Sequence, residues 1–246
     1  MSILRTEHLS RNFGGLMAVN NVSISVEPGE RRAIIGPNGA GKTTFFNLLS
    51  GELAPLSGRI FLDEQDITPL PVHERARLGI GRTFQRNNLF LGLTVYENVQ
   101  LAVQQRLGLA SRWLRPARTF EALRQEVLEL LRVLGLEERL FEPASSLSYG
   151  EQRQLEIALA LAMKPRVLLL DEPTAGMSPA ETTAMVEMIA SLPRDVTLLI
   201  IEHDMDVVFS LADRITVLHY GEVIADGTPE EVKGNPRVLE VYLGEA

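Results

Sequence analysis

Gly36-Pro37-Asn38-Gly39-Ala40-Gly41-Lys42-Thr43-Thr44 is the stretch that decides the fold. It matches the pattern G-x-x-x-x-G-K-[ST], in which a glycine-rich loop wraps a chain of phosphates. Each residue type has a physical task. Glycine allows the backbone angles that aim successive N–H groups at one anion, and it leaves no side chain in the way. The helix predicted to start near Gly41 points the positive end of its dipole at the same anion. Lys42 can bridge the β- and γ-phosphates, and Thr43 can offer its hydroxyl to Mg²⁺. A glycine-rich turn with a solvated lysine would share this composition. It would not share the setting, because Arg32-Ala33-Ile34-Ile35 in front reads as a strand and gives the order strand, loop, helix.

Working outward, Val167-Leu168-Leu169-Leu170 is an apolar run that ends in Asp171 and Glu172. Such a run reads as a strand buried on both faces of a parallel sheet. Its C-terminal residues then reach the crevice where open α/β sheets bind ligands. Asp171 is placed to hold Mg²⁺ and Glu172 to polarise an attacking water. Taken alone, the acidic pair also reads as the charged start of the next helix. His203 follows a second buried run, Val196-Thr197-Leu198-Leu199-Ile200-Ile201, and is a candidate to hydrogen-bond a γ-phosphate. Gln85 ends the strand-like run Ile80-Gly81-Arg82-Thr83-Phe84-Gln85. Its amide could reach Mg²⁺ or the attacking water, and position is the whole argument for it.

Three sections follow one another along the chain. Residues 1 to about 35 alternate like strands, with a turn at Glu27-Pro28-Gly29-Glu30. Residues from about 84 to 163 are mostly helical, and Leu123, Val127, Leu130, Leu131 and Leu134 form a stripe with helical period. Residues 107–116 read as a loop or short-helix excursion. From Arg166 strands alternate with helices at 179–192 and 204–211, a hairpin turns at Tyr220-Gly221, and short helices close the chain. The 246 residues allow one large domain or one domain plus a subdomain. A net charge of -8 argues against a general nucleic-acid surface, and the absence of cysteine excludes disulfides, thiolate metal sites and thiol nucleophiles. No run approaches the roughly 20 apolar residues needed to span a bilayer, and the N-terminus lacks a signal pattern. At a membrane, the expectation is a guest held by other subunits.

Leu147-Ser148-Tyr149-Gly150-Glu151-Gln152 resembles the signature of ATP-binding-cassette (ABC) proteins, L-S-G-G-Q, with Tyr149 in the first glycine place and Glu151 before Gln152. It stands between the phosphate loop and the carboxylate strand, and it opens an apolar-periodic helix. Ser148 reads as the N-cap of that helix, and Ser148 with the Gly150 N–H as an anion site. The resemblance implies an α/β fold: a P-loop NTPase (RecA-like) core with an antiparallel β subdomain and an inserted α-helical subdomain. It implies one ABC ATPase domain over 1–246, with 1–84 and 164–246 forming the β subdomain plus core and about 85–163 the helical signature subdomain. ATP and Mg²⁺ are the implied cofactors. Nucleotide binding falls to Phe13, stacking on adenine, with Val19 beside it, and to Gly36, Pro37, Asn38, Gly39, Ala40, Gly41, Lys42, Thr43 and Thr44. Thr43, Gln85 and Asp171 face the metal, while Glu172, His203 and Gln85 serve hydrolysis. Ser148, Tyr149, Gly150, Glu151 and Gln152 close over the ATP of the opposite subunit. Two departures stand out: Phe13 replaces the usual tyrosine, and Ser178 stands where many cassettes carry an aspartate.

A closer resemblance is to the LivG-like ATPases of branched-chain amino-acid importers. It is carried by Arg11-Asn12-Phe13-Gly14-Gly15-Leu16-Met17-Ala18-Val19-Asn20-Asn21-Val22, Arg82-Thr83-Phe84-Gln85, the excursion at 107–120, Ile201-Glu202-His203-Asp204-Met205 and the ending Tyr242-Leu243-Gly244-Glu245-Ala246. Urea/amide importers and the lipopolysaccharide-export ATPase share several of these stretches. The implied partners are a second ABC ATPase subunit, in a homo- or heterodimer, integral membrane permease subunits and, indirectly, a substrate-binding protein, with no nucleic acid. The implied place is peripheral, on the cytoplasmic side of the plasma (inner) membrane. Arg86-Asn87-Asn88-Leu89-Phe90-Leu91 is apolar in a loop setting and reads either as a seat for a membrane subunit or as local packing. A soluble cassette protein acting on DNA or ribosomes would bring long insertions, duplicated cassettes or basic surfaces. A P-loop kinase would need no signature.

Overall fold

The runs read as doubly buried strands are buried along their whole length. β4 (Arg31–Ile35), β8 (Val167–Asp171) and β9 (Thr197–Ile201) contain no exposed residue. These coordinates are a computed structural model, and they describe residues 1–83, 89–108 and 121–243. The predicted site residue Gln85, residues 86–88 of the candidate docking stretch and residues 109–120 of the excursion lie outside that set.

With β7 (Ile80–Arg82), β10 (Arg214–His219) and β11 (Glu222–Gly227), the buried strands form a six-stranded sheet in the order β11-β10-β4-β9-β8-β7. All pairs are parallel except the β10–β11 hairpin. That hairpin turns on Tyr220 (φ 45) and Gly221 (φ 80), the paired positive φ angles that match strand twist in a two-residue turn. Register is what builds the site. Ile34 faces Ile201 and Asp171 faces Ile201 across the two sides of β9, so three neighbouring strands end at one level. The phosphate loop, the acidic pair and His203 leave from that level.

A second, antiparallel sheet joins β1 (Leu4–Phe13), β2 (Leu16–Val22), β3 (Ser25–Val26), β5 (Ser57–Leu62) and β6 (Gln65–Asp66). Helix α1 (Lys42–Ser50) packs with both sheets. Its Phe45, Phe46, Leu48 and Leu49 share one core with Leu4, Leu9 and Ile60 and with Ile34, Leu169 and Leu199. Burial of each such side chain contributes about 1.5–3 kcal/mol. The pleat sends Ala33 and Ile35 the other way, into a core with Val208 of α7 (Met205–Leu211), Val232 of α8 (Pro229–Lys233) and Val238 of α9 (Pro236–Leu243). Helix α2 (Val72–Leu78) completes the elements before β7.

Contacts divide the chain into two compact units, 1–82 with 166–173 and 193–246, and 83–165 with 174–192. The second holds α3 (Val95–Arg106), α4 (Glu121–Val133), α5 (Tyr149–Ala162) and α6 (Pro179–Ser191). The division expected from sequence put the helical part at about 85–163 and left residues 179–192 with the sheets. By its contacts helix α6 falls in the second unit with α5. In α4 the stripe is real: Leu123, Val127 and Leu131 are buried, as is Leu134 just beyond. Leu89 is buried, while Phe90 and Leu91 beside it are exposed, so the described end of the candidate docking stretch is part core and part surface. Among the described residues, no helix is long and apolar enough to cross a membrane.

Candidate nucleotide site

The phosphate loop is glycine-dependent for steric reasons. Gly36 has φ 148, and a Cβ there would lie 2.1 Å from the Leu218 carbonyl oxygen. Gly41 has φ 100, and a Cβ there would lie 2.0 Å from the Ala18 carbonyl oxygen. Gly41 is also the N-cap of α1, where no side chain caps the helix and no acidic residue occupies the first turn. The start of α1 is thus kept clear for an external anion. Lys42 is buried, and its Nζ donates to the carbonyl oxygens of Gly36 at 2.5 Å and Pro37 at 2.9 Å. Burial lowers the Lys42 pKa, while the charges of Glu172 and Asp171 oppose that shift.

A cavity of about 300 Å³ brings the predicted residues together: Phe13, Asn38 to Thr44, Glu172 and His203 all line it. Val19 does not. Its side chain is fully buried in the core, and Leu16 and Ala18 line the cavity from the same strand. Gly36 and Pro37 act instead through their carbonyls on Lys42. The Phe13 ring is 47% exposed at the cavity, with the Arg11 guanidinium 5.2 Å from its centre. An exposed ring here offers an aromatic face to a base.

The hydrolytic candidates are placed by backbone strain and a buried ion pair. Glu172 follows β8 with φ 49, a left-handed angle that costs a non-glycine residue roughly 1–2 kcal/mol. Its N–H donates to the Ile201 carbonyl at 2.9 Å, which holds the strained turn. Glu172 Oε1 then lies 2.5 Å from His203 Nε2. An ionised carboxylate only accepts, so this contact needs the proton on Nε2. Asp171 is buried; its Oδ2 accepts from Arg82 Nη2 at 3.0 Å, and its buried Oδ1 has no hydrogen-bond partner among the described residues. Burial pushes the Asp171 carboxyl above its ordinary value, against the hydrogen bond and charge of Arg82. Arg82 also reaches Asn47 Oδ1 at 2.6 Å, Ser50 Oγ at 3.2 Å and Glu52 at 3.2 Å. Sequence reading missed Arg82. The available signal was a lone cation inside the strand-like run ending at Gln85.

The signature-like residues open α5 in the second unit. Ser148 is the N-cap, with the Glu151 N–H on its Oγ at 3.3 Å and its own N–H on Glu151 Oε2 at 2.8 Å. Gln152 donates to the Leu147 carbonyl at 3.1 Å, and Tyr149 lies under Arg153, whose guanidinium is 5.4 Å from the ring centre. At the anion site expected at Ser148 and Gly150, Gly150 is buried with a carboxylate oxygen of Glu181 beside it. Ser178 is the N-cap of α6 and forms a capping box with Glu181. The hydroxyl at the usual aspartate position therefore starts a helix.

The family described as "ABC transporter" matches residues 19–175, a span that contains the phosphate loop, the signature-like helix start and the acidic pair. The chain belongs to that family. It is the ATP-binding and ATP-hydrolysing component of a transporter and works with membrane permeases. A second family, "Branched-chain amino acid ATP-binding cassette transporter", matches residues 222–246. The high-affinity branched-chain amino acid transport ATP-binding protein LivG of Escherichia coli (strain K12) is 45% identical over 252 residues, covering 99% of this chain and 98% of LivG. The lipopolysaccharide export system ATP-binding protein LptB of Acidithiobacillus ferridurans is 40% identical over 244 residues, covering 99% and 97%. The crystal structure of the ADP conformation of MJ1267, an ATP-binding cassette of an ABC transporter, superposes with TM-score 0.85 at 34% identity and covers 99% of each chain. The cassette fold expected from sequence, a P-loop NTPase core, is the fold observed.

Proposed function

We propose that this cassette binds ATP with Mg²⁺ in the cavity around Lys42 and hydrolyses it to drive import of branched-chain amino acids. The observation that carries the chemistry is the meeting of Lys42, Glu172 and His203 on one cavity, with an Asp171 oxygen that lacks a hydrogen-bond partner among the described residues. Lys42 and the start of α1 bind the phosphates. Phe13 stacks on the base. Glu172 accepts the proton of a water that attacks the γ-phosphorus, and His203 orients both Glu172 and the γ-phosphate. Positioned acid–base groups of this kind contribute roughly 10²–10⁴-fold in rate.

The residues fit Mg²⁺. A hard cation takes oxygen ligands, and Asp171 Oδ1 and the exposed Thr43 hydroxyl are the oxygens offered beside the loop. Bound there, Mg²⁺ would neutralise charge on the β- and γ-oxygens. Gln85 is proposed as a further contact on sequence position alone. Ser148, Tyr149, Gly150, Glu151 and Gln152 are proposed to meet the nucleotide of a second cassette, so that ATP holds the pair together and hydrolysis releases it. The pair acts at the cytoplasmic face of the plasma membrane, on permeases that receive cargo from a substrate-binding protein.

Import of branched-chain amino acids is favoured over lipopolysaccharide export by the match at 222–246 and by the higher identity to LivG. The test is uptake. Vesicles carrying this cassette with its native permeases and binding protein, loaded with ATP, should accumulate labelled leucine. The Lys42→Ala cassette should lower that uptake at least tenfold. Leucine uptake no greater than in empty vesicles would overturn the cargo assignment.

A further inference from the structure

The start of α5 is already engaged by a carboxylate from its own chain. Glu181 lies in the first turn of α6, and its Oε2 accepts from the Ser178 N–H at 3.0 Å and the Ser178 hydroxyl at 2.8 Å. The other oxygen faces α5: a Cβ built on Gly150 would lie 3.1 Å from Glu181 Oε1. One carboxylate therefore caps the start of α6 and lies beside the start of α5. Hydrogen bonds from Ser178, backbone then side chain, hold Glu181 below the ordinary carboxylate range, so it is anionic at neutral pH. A second contact ties the same segments: a Cβ on Gly176 would lie 3.6 Å from the Tyr149 ring.

The electrostatic consequence is direct. The positive end of a helix attracts one anion to its free N–H groups. At α5, Glu151 accepts from the Ser148 N–H, and a Glu181 carboxylate oxygen lies beside Gly150. Two carboxylates thus stand where the reading above brings a phosphate of the opposite chain. Like charges at contact distance repel, so a phosphate arriving at Gly150 meets the Glu181 carboxylate as a competitor.

We propose that Glu181 sets the strength of the cross-subunit nucleotide site, because its carboxylate competes with the incoming phosphate for the start of the signature helix. The inference rests on the cross-subunit reading. Glu181 holds the signature end against premature pairing, and the ATP concentration needed for pairing reflects its displacement. A residue that only capped α6 would have no such effect. Glu181→Gln keeps an oxygen for the Ser178 N–H and removes the charge.

The experiment is sedimentation of the Glu172→Gln chain across an ATP series. Adding Glu181→Gln should lower the ATP concentration for half-maximal dimer about tenfold, and Glu181→Ala should shift it in the same direction. Ser178→Ala weakens the α6 cap but keeps the charge, and it should match the parent. Fluorescent-nucleotide binding to the monomer should be unchanged. An equal or higher ATP requirement in Glu181→Gln would overturn the proposal. So would a matching shift in Ser178→Ala, or a monomer affinity that moves as much as the dimer. Ser148→Arg in the same background separates the two levels. A dimer that survives it overturns the cross-subunit reading itself. If Ser148→Arg blocks pairing and Glu181→Gln changes nothing, only the role of Glu181 falls.

Discussion

At the scale of single residues, pattern and partner were not equally visible. Gly36, Lys42, Asp171 and Glu172 could be picked out because each sits at a fixed offset within a local motif. Arg82 could not, since its partner Asp171 is 89 positions away and the two meet only through strand pairing. The place of Val19 was hidden for a related reason: neighbours on a strand face opposite ways, so Ala18 lines the cavity while Val19 lies in the core. The Arg82–Asp171 pair has side chains 9% and 1% exposed. Removing one partner from so buried a pair leaves an uncompensated charge, at a cost of about 3–5 kcal/mol. Arg82→Ala should therefore lose stability of that order in urea unfolding at neutral pH. The loss should shrink in acid, as Asp171 takes up a proton and no longer needs a cation. A loss under about 1 kcal/mol at neutral pH would contradict the packing described.

At the scale of elements, the strongly periodic segments were legible and the short elements between α1 and β7 were not. β4, β8 and β9 announced themselves as unbroken apolar runs, and the 220–221 turn as a tyrosine–glycine pair between strands. Residues 51–79 went unread although they hold β5, β6 and α2. In this stretch a buried arginine does what an apolar residue does elsewhere. Arg75 is 1% exposed and caps the C-terminal carbonyls of α1, donating to Leu48 at 2.6 Å and Leu49 at 3.0 Å. Burial lowers its pKa to about 10. A charged residue in that position breaks the apolar period that marks a helix. Helix starts, by contrast, follow local chemistry: Thr94, Ser148, Ser178 and Thr228 each form a capping box with the glutamate three residues on. Thr94→Ala removes the cap of α3, where the Glu97 N–H meets Thr94 Oγ1 at 3.1 Å. The expected cost is about 1 kcal/mol, read from the urea midpoint at unchanged slope. No shift at all would mean that α3 is held by its packing alone.

At the scale of the whole molecule, sequence order gave the fold class, while grouping by packing assigned α6 to the helical unit. The same grouping puts Ser178 and Glu181 with the signature helix, two residues whose function no local motif announces. The account rests on one division of labour in the cavity: Lys42 and the loop bind the nucleotide, and Glu172, paired with His203, removes a proton from water. Binding and turnover should therefore separate in one variant. The decisive measurement is to follow nucleotide retention and phosphate release together in Glu172→Gln. ATP affinity should stay within about threefold of the parent, while phosphate release falls at least a hundredfold, in line with loss of a positioned base. Unchanged phosphate release from that variant, with ATP bound, would contradict the assignment of Glu172 and the mechanism built on it.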